Sequence, residues 1–260
     1  MTFISLILSL SVQAQMNYFV SPLGSDSGKG TQVKPFASID RALVEARKTK
    51  GSVVVNLLAG KYYLNRPIVF TSDDSREENE KLVISNFKNQ KVSISGSVPL
   101  KLKWEVYKRG IWQAKIKQFL VFDELFVNGQ LQRMARYPNY DSKSQYFGGT
   151  AADAISKNQS AHWKSPQGGY VHAMHSSMWG DFHYIITGKN DKGEVVLEGG
   201  WQNNRRMPMH NKYRFVENVF EELDTVNEWF YDKKSRILYY YPPNGMDIKT
   251  AKFETPQIAH

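Results

Sequence analysis

Two runs of β-branched residues constrain this chain more than any other feature. Val53-Val54-Val55-Asn56-Leu57-Leu58 is followed by Ala59-Gly60, Tyr62-Tyr63-Leu64 and Pro67-Ile68-Val69-Phe70. After a charged loop over residues 71–80, the texture returns as Lys81-Leu82-Val83-Ile84-Ser85 and then Val92-Ser93-Ile94-Ser95-Gly96. Aligning Val54 with Val83, and Ile68 with Ser93, gives a weak internal repeat of roughly 25–30 residues, a length typical of solenoid coils. The longer runs are nearly continuous in β-branched side chains, as in parallel strands covered on both faces. The expectation is an all-β dominated chain that opens with two coils of a right-handed parallel β-helix, each pairing its backbone with the next. Such a stack has an open leading edge, and an amphipathic helix is the expected cover.

The sequence supplies that cover. Ser38 is a good N-cap, Asp40 suits the positive first turn, and Lys48 and Lys50 suit the last. Gly51 is placed to end the helix at C′. Ile39, Ala42, Leu43 and Ala46 form one apolar stripe, so a capping helix is predicted over 38–50. Ahead of it, Asn17-Tyr18-Phe19-Val20-Ser21 reads as a strand and Pro22 to Thr31 as a loop. Gly28-Lys29-Gly30-Thr31 lacks the spacing and the following helix of a phosphate loop, and reads as a turn.

Residues 1–14 read as a secretory signal peptide. Thr2 to Val12 is almost wholly apolar or Ser, and Val12-Gln13-Ala14 offers small residues for cleavage. The run is shorter than the roughly 20 residues that span a bilayer. This predicts a secreted or periplasmic protein and no membrane partner; a buried first strand is the alternative.

From about Trp104 hairpin signals take over. Asn128-Gly129 between Val127 and Gln130 is one. Glu228-Trp229-Phe230-Tyr231-Asp232 and Ile237-Leu238-Tyr239-Tyr240-Tyr241, joined by Lys233-Lys234-Ser235-Arg236, make another. The predicted organisation is therefore a cap with the first coils over 15–99, a β-rich insertion domain over 100–245, and a return to the β-helix over 246–260. Two coils bury little core, and about three repeats are normally needed. The chain is thus expected to be the N-terminal part of a longer protein.

Composition narrows the chemistry. The 260 residues contain no Cys, which excludes disulfides, Cys-ligated zinc and a thiol nucleophile. Fourteen Tyr, fourteen Phe and six Trp fit a β-rich fold. The net charge is +9, yet residues 1–130 hold 18 Lys and Arg against 11 Asp and Glu, and the remainder 16 against 14. An excess spread this thinly lacks the dense basic face of a nucleic-acid binder. It is compatible with an anionic polysaccharide.

Tyr18-Phe19-Val20-Ser21-Pro22 with Gly24-Ser25-Asp26, Gly30-Thr31 and Pro35-Phe36 looks like the opening of many secreted right-handed β-helix proteins of the pectin-lyase-like kind. Leu125-Phe126-Val127-Asn128-Gly129, Ala135-Arg136-Tyr137-Pro138-Asn139, the run Glu217 to Asp224, Glu228 to Asp232 and Leu238 to Pro243 are more specific. Together they resemble glycoside hydrolase family 141 and its relatives over about residues 17–260. The resemblance implies a secreted carbohydrate-active enzyme, with an insertion domain interrupting the first coils and catalytic carboxylates on later ones. Asn227 and Val226 stand where the family shows Gly and Pro ahead of its Glu-Trp pair.

Glycoside hydrolysis needs two carboxyl groups across the scissile bond. The densest acidic stretch is Glu217, Glu221, Glu222, Asp224 and Glu228. In a strand Glu222 and Asp224 share a face, making them the candidate pair, against a solvated or salt-bridged turn. For substrate binding, Trp179, Asp181 and His183 stand out, since Asp181 and His183 point to one side of a strand and Phe182 and Tyr184 to the other. His172 and His175 fall on opposite faces, so no metal site is predicted. The stretch from Gly199 to His210 combines Trp201, Asn204, Arg205, Arg206 and His210, groups that stack on sugar rings and hydrogen-bond to sugar hydroxyls. The alternative puts Trp201 in a core and pairs Arg205 with the acids at 217–224.

No Gly-x-Ser-x-Gly elbow and no dinucleotide fingerprint is present. Three functions remain: the N-terminal part of a glycoside hydrolase, a polysaccharide lyase that would use a base and Ca²⁺ on the same scaffold, or a non-catalytic carbohydrate-binding module. No organic cofactor is implied, the expected partner is a poly- or oligosaccharide, and the sequence does not set the oligomeric state.

Overall fold

The computed structural model describes residues 15–202 and 205–258. The signal-peptide reading of residues 1–14 and the site residue Asn204 fall outside them. The described chain is dominated by β-strands and divides into two compact units. The smaller runs to Ser97 and takes in the chain again from Ile258; the larger is Val98–Gln257.

In the smaller unit β1 (Met16–Val20), β2 (Val53–Leu57) and β4 (Leu82–Asn86) form a parallel sheet with β2 in the middle. Val54 stands opposite both Asn17 and Val83, so the two β-branched runs stack in the register set by their repeat. A second parallel pair joins β3 (Gly60–Tyr63) to β5 (Val92–Ser95), with Tyr62 opposite Ile94. This corrects the alignment of Ile68 with Ser93. Residues 67–70 form no strand, and Val69 and Phe70 are exposed. Pro67 has no N–H to give to a ladder, whereas Gly60 to Tyr63 offers every backbone donor.

A helix, α1 (Ile39–Lys48), packs Ile39, Ala42, Leu43 and Ala46 into one cluster with Val20, Val53, Val55, Leu57 and Tyr62. Ser38 caps its N-terminus by accepting from the Arg41 N–H. Asp26 holds the cap itself, accepting from the N–H groups of Ala37 and Ser38 and from the Ser38 hydroxyl. The C-terminus differs from expectation. Thr49 leaves the helix in extended backbone, and Gly51 is not the C′ residue. The last carbonyls are instead met by Arg76, whose guanidinium donates to Ala46 O at 2.8 Å and Thr49 O at 3.3 Å. A distant cation thus does what a left-handed glycine would have done.

The larger unit holds two larger sheets. One has eight strands, in the order β6 (Ser97–Pro99), β20 (Phe253–Pro256), β9 (Leu125–Val127), β10 (Gln130–Met134), β18 (Glu228–Asp232), β19 (Ile237–Tyr240), β8 (Ile111–Lys115) and β7 (Glu105–Lys108). The other has five: β11 (Arg136–Tyr137), β17 (Met209–Glu217), β12 (Tyr170–His175), β13 (Asp181–Lys189) and β14 (Val195–Gly199). The β9–β10 hairpin turns at Asn128 and Gly129, both at positive φ (51° and 80°), as a tight two-residue turn requires. The stretch expected to leave this unit at residue 246 stays with it through Gln257, because Phe253 and Glu254 pair antiparallel with Val127 and Phe126.

Leu125, Val127, Trp229, Tyr231, Leu238, Tyr240 and Phe253 form the core of the first sheet, and Trp163, Val171, Ala173, Ile186 and Val216 that of the second. The two-residue period of β12 sends Val171 and Ala173 into this core and His172 to the opposite face.

Candidate functional site

One end of the five-stranded sheet gathers most of the binding residues expected from sequence. The turn from β12 to β13 carries Trp179, and the connection from β14 to β17 carries the short hairpin β15 (Trp201–Gln202) and β16 (Arg205–Arg206). The two connections adjoin, since Ser176 N–H donates to Pro208 O at 3.0 Å. Gly200, at φ 68°, lets the second pass over the Tyr184 ring, which a Cβ would strike. Trp179 is 77% exposed and Trp201 57%. Neither indole is a core residue, and Arg205 has no carboxylate partner among the described residues.

Both indoles are braced. The Trp179 ring lies parallel to His175, with centroids 5.1 Å apart and 8° between planes. His175 is buried, and its Nδ1 accepts from the Ser177 N–H at 2.9 Å. The Arg206 guanidinium sits 5.3 Å from the Trp201 ring centroid. His210 is spent locally, its Nδ1 accepting from the N–H groups of Lys212 and Tyr213 while its ring stacks on Tyr213 at 4.3 Å.

Asp181 and His183 share the exposed face of β13, with Nε2 and Oδ2 3.8 Å apart. Behind His183 stands a pair that the sequence reading missed. His172 lies directly across the ladder, the two Nδ1 atoms are 2.5 Å apart, and His172 Nε2 meets Glu217 Oε1 at 2.8 Å. Hairpin register would have revealed it, since pairing Met174 with Asp181 places His172 opposite His183. No group of three or more His, Asp or Glu suited to a metal ion occurs among the described residues.

The acidic stretch is arranged differently from the strand reading. Phe220–Glu222 forms a 3₁₀ turn, so Glu222 and Asp224 do not share a face. Glu222 is 4% exposed and accepts from Trp163 Nε1 and from Gln159 Nε2 at 3.1 Å, with His162 Nε2 at 3.2 Å. Burial raises its pKa, and these donors oppose the rise. Asp224 is exposed and accepts from Asn139 Nδ2 at 3.0 Å.

Glu228, which belongs to the same acidic stretch and to the Glu-Trp motif, is 1% exposed, and neither carboxyl oxygen has a hydrogen-bond partner within range. Burial, aided by the charge of Asp224, pushes its pKa up to about 8, against the pull of nearby backbone amides of Thr225, Asp224 and Arg136. A carboxyl in this state is protonated at neutral pH. The turn ahead of it forms without Gly, because Asn227 takes φ 67°.

The other motif residues are also ties. Arg136 is buried and donates to the carbonyls of Pro138, Phe147 and Gly149 at 2.9–3.0 Å, with its guanidinium 4.1 Å from the Phe215 ring centroid. Asn218, at φ 59°, donates from Nδ2 to Gly168 O at 2.9 Å.

With this geometry in hand, the fold has a solved counterpart. A structure described as a glycoside hydrolase superposes with a TM-score of 0.75 and 22% sequence identity, over 94% of this chain and 46% of that one. The chain therefore shares its fold and spans less than half its length. A second structure, described as the complex of XylC with xylose, covers 93% of this chain at 15% identity, but its TM-score of 0.40 carries no argument. No protein-family model and no curated protein matches the chain.

Proposed function

We propose that the chain is the glycan-binding N-terminal part of a secreted glycoside hydrolase related to family 141. The observation that carries this reading is the pair of exposed, braced indoles, Trp179 and Trp201, on adjoining turns beside Asp181, His183 and Arg205. Tryptophan faces stack on the C–H faces of pyranoses, and carboxylate, imidazole and guanidinium groups hydrogen-bond to their hydroxyls. The shared fold with a protein described as a glycoside hydrolase supports it. On this reading β1, β2 and β4 are the first rungs of a right-handed parallel β-helix, α1 caps them, and residues 1–14 direct secretion. Glu222 is held by Trp163, Gln159 and His162, and Glu228 is sealed, so neither is offered to a substrate. On this reading bond cleavage is assigned to carboxylates on later coils, as the resemblance to family 141 implies.

Calorimetric titration with soluble neutral plant and algal oligosaccharides tests the reading. Binding of at least one of them, weakened about tenfold by Trp179→Ala or Trp201→Ala, is expected; tenfold corresponds to about 1.4 kcal/mol. Binding that ignores both substitutions, or no binding to any glycan, contradicts it.

A further inference from the structure

The larger unit has a second surface, away from the two indoles in sequence and built from other segments. Two cavities of about 520 Å³ each share Lys164, Phe220 and Glu221 in their walls, and so adjoin. Tyr107, Phe220, Phe230 and Tyr239 line them, packed edge to face: Phe220 to Tyr239 at 4.8 Å, Tyr107 to Tyr239 at 5.1 Å and Phe220 to Phe230 at 5.4 Å. The rings form one apolar seam that remains partly open to solvent.

The charges around this seam are unbalanced. Lys108, Arg109 and Lys164 line the first cavity, and Lys164, Lys233 and Lys234 the second. Among the described residues, none of these cations lies within 4.0 Å of a carboxylate oxygen. The acids of the same walls are already occupied by other donors. Glu221 accepts from the Lys164 backbone N–H at 3.1 Å, Asp224 from Asn139, and Asp232 from the Lys234 and Ser235 N–H groups and the Ser235 hydroxyl. Five cations thus share the groove walls with three carboxylates, an excess of two positive charges; of the five, Lys108 also sits over the Tyr107 ring, its Nζ 5.1 Å from the centroid.

We infer that this groove binds an anionic oligosaccharide, a sugar chain carrying uronate carboxylates or sulfate esters. The inference rests on the carbohydrate reading above and adds a ligand class and a place to it. A neutral glycan asks for donors and acceptors in similar measure; an excess of ammonium and guanidinium groups over carboxylates matches a ligand that brings negative charge. The partly exposed rings add apolar surface for the C–H groups of pyranoses. A sugar chain fits better than single-stranded nucleic acid, because the rings pack on one another and none stands clear as a platform for a base.

The test is calorimetric titration of the intact protein with four probes: oligogalacturonides, chondroitin sulfate oligosaccharides, neutral xylo-oligosaccharides and a single-stranded oligonucleotide. The double variants Lys233→Ala/Lys234→Ala and Arg109→Ala/Lys164→Ala alter exposed side chains only. One anionic sugar or both should bind, about tenfold more weakly in each double variant, and more weakly as salt rises from about 50 to 500 mM. The charge-keeping variant Lys233→Arg/Lys234→Arg should retain most of the affinity. Tighter binding of the galacturonide identifies carboxylates as the recognised group, and of the chondroitin sulfate, sulfate esters. Anionic-sugar binding that ignores both double variants overturns the inference, as does tighter binding of the oligonucleotide. Binding of neutral sugars alone overturns it while leaving the carbohydrate reading intact; no binding to any sugar removes both.

Discussion

His172 and His183 face each other across the β12–β13 ladder with Nδ1 atoms 2.5 Å apart, and Glu217 Oε1 lies 2.8 Å from the far nitrogen of His172. A carboxylate only accepts, so His172 must carry its proton on Nε2. With both rings neutral its Nδ1 is the acceptor and His183 donates from Nδ1, which leaves His183 Nε2 without a proton for Asp181, 3.8 Å away. Nitrogen-15 spectra of the neutral imidazoles should find His172 as the Nε2–H tautomer and His183 as the Nδ1–H tautomer. His172→Phe keeps the ring stacked on Phe215, now 4.6 Å away, but strips Glu217 of its donor, at a cost of about 1–3 kcal/mol in chemical unfolding. An Nδ1–H signal from His172, or an unchanged stability, contradicts the arrangement.

Glu222 anchors the segment that contains Gln159, His162 and Trp163. Trp163→Phe removes the indole donor and leaves a buried carboxylate short of one partner. A loss of about 2–3 kcal/mol is expected, since hydrogen bonds to charged groups are the stronger kind. Glu222→Gln should cost less than Trp163→Phe, because it relieves the burial of charge while keeping an acceptor oxygen. Chemical unfolding of the two variants side by side checks the order.

Glu228 gives the protein a signed pH dependence. Its pKa is about 8 in the fold, against an ordinary value of 4.5. Between those values the folded chain holds a proton that the unfolded chain has released. Stability therefore falls as pH rises through that window and levels off above about 8, with a slope of at most about 1.4 kcal/mol per pH unit from this group. Glu228→Gln imitates the protonated form. Its thermal midpoint should match the wild type near pH 5 and exceed it at pH 9; two parallel curves would show that Glu228 is not buried in this state.

Asp26 holds the N-terminus of α1 through three hydrogen bonds, to Ala37 N, Ser38 N and Ser38 Oγ. Ser38→Ala should cost about 1 kcal/mol, the usual value of a lost N-cap. Asp26→Ala should cost at least as much, because two backbone donors lose their partner along with the cap. Helix amides protected from hydrogen exchange in the wild type should exchange faster in both variants, starting at the first turn.

The sequence was most legible where one local pattern decided the outcome. β-Branched runs that repeat at a fixed spacing stack in parallel, and Val54 lies opposite Val83 as the repeat implies. The shorter members pair through Gly60–Tyr63 and not through the more hydrophobic Ile68, Val69 and Phe70, because ladder formation depends on backbone donors that Pro67 interrupts. The exposed indoles could be read because Trp179 and Trp201 sit amid glycine and polar residues. The fate of Glu222 could not, because Trp163, which buries it, lies far away in sequence. The same holds for the cation-rich groove: Arg109, Lys164 and Lys233 come from separate segments, and only folding sets them around one row of rings.

The most direct test of glycan recognition at the sheet end follows the six indole N–H signals of the protein in a proton–nitrogen-15 spectrum during titration with a bound neutral oligosaccharide. Trp179 and Trp201 should shift and saturate together, while the buried Trp163 and Trp229 stay in place. Saturable binding that leaves both exposed indoles unmoved would place the sugar elsewhere and contradict the account.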